Sequence, residues 1–80
     1  LVDAFSGLAG IAYWINAYYE LPTEEKVQKG DELVARIKEF ADKEYASGRT
    51  TAISDGELDT MISLLDPQRH AYFLSKSKNR

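Results

Sequence analysis

Ile53-Ser54-Asp55-Gly56-Glu57-Leu58 is the stretch that decides how this chain folds. The first backbone N–H groups of a helix have no partner inside it, and a serine followed three residues later by a glutamate can satisfy two of them reciprocally. Ser54 and Glu57 have that spacing, while Ile53 and Leu58 stand where apolar side chains clasp across a helix start. Both residues are therefore assigned as helix-capping. Beyond them Leu58, Met61, Ile62 and Leu65 recur at helical spacing, and Asp66-Pro67 reads as the end of that helix and the cap and first residue of another.

Upstream, Asp31 can cap a helix running to about Ala46, with Ser47-Gly48 as its stop. Leu33, Val34, Ile37, Phe40, Ala41 and Tyr45 form its apolar stripe, and Glu32 with Arg36 and Glu39 with Lys43 are oppositely charged neighbours along it. Before this, Glu20-Leu21-Pro22-Thr23 is a break, followed by room for a short helical turn at Thr23 to Lys29. An earlier helix spans Ser6 to Tyr19, with Ser6 as its cap and Leu8, Ile11, Ala12, Ile15, Tyr18 and Tyr19 on one face. The fold class expected is all-α, a small bundle of three to four helices forming a single unit over residues 1–80, with 75–80 as a disordered tail. The start at Leu1 rather than methionine suggests a piece of a larger protein.

Composition narrows the function. A net charge of −3 offers no basic surface for nucleic acid, and Lys76, Lys78 and Arg80 cluster only at a terminus. The absence of cysteine removes disulfides, thiolate metal sites and cysteine nucleophiles together, and suits a cytoplasmic location. The apolar run from Leu8 to Tyr19 is shorter than the roughly 20 residues a membrane span requires and contains Asn16, so no membrane partner is expected.

No catalytic residue and no metal ligand set stands out. Asp55, Glu57, Asp59 and Asp66 imitate four positions of a calcium loop, but Thr60 occupies the position that needs glycine and the apolar spacing demands helix throughout. His70 is the only histidine and is read as a surface residue, and no serine or threonine has an evident base beside it. Ser6-Gly7-Leu8-Ala9-Gly10 lacks the strand and lysine of a phosphate loop.

The far face of the first helix carries Ala9, Gly10, Tyr13, Trp14 and Ala17. Small residues beside large aromatics do not make a solvated surface. Tyrosine and tryptophan combine an apolar body with a polar tip, so these five residues are the candidate partner interface.

Three stretches, taken in order, resemble the segment that follows the barrel in the isopropylmalate/homocitrate synthase family. They are Phe5-Ser6-Gly7-Leu8-Ala9-Gly10-Ile11, Leu33-Val34-Ala35-Arg36-Ile37-Lys38-Glu39-Phe40-Ala41-Asp42-Lys43, and Ile53-Ser54-Asp55-Gly56-Glu57-Leu58. Ala4-Phe5 before the serine-glycine pair and the Tyr13-Trp14 pair depart from the common pattern and imply a divergent branch. The resemblance implies a helical C-terminal subdomain of a transferase that condenses acetyl-CoA with a 2-oxo acid in amino-acid biosynthesis. It further implies that this piece binds no cofactor, that a divalent metal belongs to the parent barrel domain, and that the partners are that barrel domain, a second subunit, or both. Dimerisation and active-site closure would then be its role, with the chemistry elsewhere. An independent helical protein-protein interaction module is the alternative that the residues leave open.

Overall fold

In the computed structural model, residues 7–77 are described. They form four α-helices and one short 3-10 turn: α1 (Leu8–Tyr18), the turn at Thr23–Glu25, α2 (Glu32–Ala46), α3 (Asp55–Leu65) and α4 (Pro67–Lys76). The all-α bundle expected from periodicity is what forms. Helix α2 packs on α1 and on α3, while α3 and α4, joined through the single residue Asp66, pack on each other.

Each helix begins and ends for a local reason. Ser54 Oγ accepts the Glu57 N–H, and the Glu57 carboxylate accepts the Ser54 N–H. The Asp31 side chain accepts from Leu33 at the start of α2, and that of Asp66 from Arg69 at the start of α4, with Pro67 in the first turn where its missing N–H costs nothing. Helix α1 starts at Gly7, with no side-chain cap, and the expected cap Ser6 lies outside the described residues. Helices α1 and α2 end alike: the Leu21 and Arg49 N–H groups reach back to the Asn16 and Glu44 carbonyls, around left-handed residues at Glu20 and Gly48. Gly48 suits that geometry, whereas Glu20 holds φ 54° against the Cβ penalty that L-residues incur there.

The core joins Ile11, Ile15 and Tyr19 of the first segment with Val34 and Ile37 of α2, Leu58 and Ile62 of α3, Phe73 of α4, and Ile53 just before α3. Several expectations need correcting. Leu8, assigned to the buried stripe, is exposed in the first turn of α1, and Phe40 on α2 is 41 % exposed. Neither Glu32–Arg36 nor Glu39–Lys43 closes; Lys38 and Asp42 make the ion pair on that surface instead, at 2.6 Å. Ser75 and Lys76 are helical and Ser77 is buried, so the tail expected from 75 does not start there; residues 78–80 lie outside the described ones.

Helix α4 is fastened largely by charge. Phe73 is its one buried residue, and three polar contacts run to three different elements: the ion pairs Arg69 to Asp31 and Lys76 to Glu25, and the His70 imidazole against the Asp59 carboxylate. The Arg69 fork is bidentate, 2.7 and 3.0 Å from the Asp31 oxygens, and holds that carboxyl below its usual range. A second fork, Arg49, reaches both oxygens of Glu57 and braces the loop before α3.

Two tests follow for the start of α3. Ser54→Ala removes a cap and costs about 1 kcal/mol, visible as a lower melting temperature, whereas Ser63→Ala, whose hydroxyl only donates back to the Thr60 carbonyl, costs less. The Arg49 hydrogen bonds, with the Ser54 N–H, pull the Glu57 carboxyl from 4.5 down to about 2. A carboxyl depressed on folding stabilises the fold above its unfolded value and loses that contribution as pH falls through the folded one. Denaturation midpoints should therefore fall between pH 4.5 and about 2, and Glu57→Gln should flatten part of that fall.

Candidate functional site

The face of α1 marked by Ala9, Gly10, Tyr13, Trp14 and Ala17 divides in two. A residue advances about 100° around a helix, which places Ala9, Gly10, Tyr13 and Ala17 opposite the core stripe of Ile11, Ile15 and Tyr19. Those four are exposed, Tyr13 by 74 %. Trp14 lies on the flank between the two arcs, and its indole turns inward, leaving it 8 % exposed. Its placement on the open face is thus corrected: Trp14 belongs to the chain's own core edge.

Three contacts hold it there. The indole stacks on Tyr18 at 4.7 Å between ring centroids and meets Tyr19 edge-on at 5.9 Å. Its N–H donates to Asp55 Oδ1 at 2.8 Å, across the bundle to the first residue of α3. A buried indole needs such an acceptor, since an unpaired N–H away from water is costly. Gly10, Tyr13, Trp14, Ala17, Tyr18 and Asp55 together line an open cleft of about 370 Å³ between α1 and the start of α3. Sequence reasoning placed Asp55 in the first turn of α3 but not in this cleft. The helical spacing of Tyr18 pointed to the core, and the half-buried tyrosine does pack against it while also forming part of the cleft wall.

A second polar cluster lies behind α1. Tyr19, fully buried, donates its hydroxyl to Asp59 Oδ1 at 2.6 Å, and His70 Nε2 sits 3.0 Å from the same oxygen. His70, read from sequence as a surface residue, is half-buried beside Tyr19, because α4 folds back along α3 and sets positions 59 and 70 side by side. Nearby, Asn16 uses both ends of its amide on the Val27 backbone and pins the loop after the 3-10 turn to α1. Among the described residues no three histidine or carboxylate side chains converge in a way that could hold a metal ion. The acidic positions that imitate a calcium loop are spread along α3. No described helix is long and apolar enough to cross a membrane.

The sequence is 43 % identical over 67 residues to a protein named citrate (Re)-synthase from Clostridium kluyveri, a match that takes in 84 % of this chain. This chain matches a segment of a citrate synthase-like enzyme. A citrate (Re)-synthase from Syntrophus aciditrophicus is 38 % identical over 63 residues, or 79 % of the chain. The aligned part spans only 15 % and 10 % of those two relatives. Neither a protein-family model nor a solved structure matches the sequence.

The division of the α1 face separates two kinds of residue by experiment. Trp14→Ala should destabilise the fold by about 3 kcal/mol or more, as truncating a large buried aromatic does. Tyr13→Ala, on the open face, should change unfolding free energy by no more than about 0.5 kcal/mol. Urea denaturation followed by helical circular dichroism measures both.

Proposed function

We propose that this chain is a helical subdomain of an enzyme of the isopropylmalate/homocitrate synthase family that makes citrate, and that it shapes and covers the catalytic unit without doing the chemistry. The identity of 43 % across 84 % of the chain to a protein named citrate (Re)-synthase carries this reading. The parent reaction would be condensation of acetyl-CoA with a 2-oxo acid. Carbon balance makes that acid oxaloacetate, since bonding the acetyl methyl carbon to its 2-oxo carbon and then hydrolysing the thioester with one water, which releases the thiol, gives citrate. The divalent metal of such a reaction would polarise the 2-oxo group from ligands elsewhere in the parent, because the described residues offer no cluster that fits one.

What supports this role is the surface that the segment leaves open. Helix α1 already buries Ile11, Ala12, Ile15 and, with Tyr19, docks on the other helices, yet its outer face presents Tyr13 among Ala9, Gly10 and Ala17. Small side chains allow close approach and Tyr13 supplies a large amphipathic anchor, a combination suited to contact with the barrel part of the parent or with a second subunit.

Two measurements test this. Thiol release from acetyl-CoA with oxaloacetate and magnesium or manganese should stay at background for the 80-residue chain and appear for the parent polypeptide. In sedimentation with the barrel fragment, Tyr13→Ala should weaken association by about 1–4 kcal/mol, as loss of an interface anchor does. Turnover by the chain itself, or association indifferent to Tyr13, would refute the assignment.

A further inference from the structure

We infer that the cleft between α1 and the start of α3, which Tyr13 and the Asp55 carboxylate both line, receives an arginine side chain from the polypeptide that covers α1. The inference rests on the interface reading of this face and adds the chemistry of what must occupy it.

Six other carboxylates of the described residues pair with cations of the same chain, Asp31 with Arg69, Asp42 with Lys38, Glu44 and Glu57 with Arg49, Glu25 with Lys76, and Asp59 with His70 when the imidazole is protonated, whereas Asp55, like Glu24, Glu32, Glu39 and Asp66, makes no ion pair. Asp55 accepts at Oδ1 from a neutral donor, the Trp14 indole N–H. No lysine or arginine lines its cleft among the described residues. While the cleft is open to water this costs little. Once a partner covers α1, the second carboxylate oxygen loses its hydration, and an apolar occupant would leave a charged acceptor buried and unpaired. The occupant must therefore bring a donor, and a cationic one offsets the desolvation best.

The other wall selects which cation. Tyr13 offers an exposed ring face, and the Trp14–Tyr18 stack closes the inner end of the cleft. A guanidinium is flat, is more weakly hydrated than an ammonium, stacks on an aromatic face and still presents a fork of N–H groups at its edge. It can lie on Tyr13 while donating to Asp55. Gly10 and Ala17, the small members of the cleft, leave space for the aliphatic stem.

Trp14 is the only tryptophan in the chain, and its indole N–H is bonded to Asp55, so the site carries its own reporter. The test is a titration of the 80-residue chain with N-acetyl-arginine amide and, separately, with the neutral isostere N-acetyl-citrulline amide, following the Trp14 indole N–H and Tyr13 ring resonances. The arginine amide should shift both resonances and bind roughly five- to tenfold more tightly than the citrulline amide. Asp55→Asn, which keeps an acceptor for the indole, should abolish that preference, and Asp42→Asn on α2 should leave it intact. Equal responses to the two amides, no response to either, or a preference that survives Asp55→Asn would overturn the inference. If Tyr13→Ala weakens association with the barrel fragment while the arginine amide leaves Trp14 unmoved, the face is an interface and the arginine assignment alone is wrong.

Discussion

Tyr19 enters the core with a hydroxyl that must keep a hydrogen-bond partner, and that requirement ties three helices together. Its ring stacks on Phe73 of α4 at 5.2 Å and packs edge-on against Trp14 and Tyr18, while its hydroxyl donates to Asp59 of α3. Tyr19 is fully buried, so a misplaced α3 would take away the acceptor of a donor that lies away from solvent. Asp59 in turn meets His70, which fixes α4 along α3. The position of Tyr19 depends on how α1 ends. It is the residue after the last helical one, and the reverse turn through the left-handed Glu20 leads the chain away so that the ring can point inward.

The same turn sends the chain past Leu21 to the loop that Asn16 holds, and so to α2, whose capping aspartate is gripped by Arg69 of α4. Loops and helices are thus fastened by a few directional bonds around a small apolar centre. That is the economy expected of a chain this short, which cannot bury enough surface to rely on packing alone. The mixed character of α1 has the same origin: one arc serves the core, Trp14 bridges to α3 through Asp55 with Tyr18 stacked on it, and the remaining arc is exposed.

Capping and periodicity were legible because they are local. Ser54 and Glu57 are three residues apart and need only a helix to meet, as do Asp31 with Leu33 and Asp66 with Arg69. The cleft was half legible. Its aromatic members were visible on α1, but the carboxylate that completes it lies 41 positions from Trp14, and no spacing rule joins them. His70 was misjudged for a related reason: nearness to the chain end says nothing about which way α4 folds back.

The sequence by itself determined where α2, α3 and α4 begin and which arcs are apolar, because hydrogen-bond satisfaction and a 3.6-residue repeat act within one turn of backbone. It also carried the likeness to an acyl-condensing enzyme, through short motifs in a fixed order. Tertiary structure decided what each boundary residue faces. Trp14 stands on the flank of α1, about 100° from the centre of its buried arc, where periodicity alone permits either fate. The indole turned inward because α3 brings the Asp55 acceptor within 2.8 Å, and Tyr13, one residue earlier and facing no other helix, stayed outside.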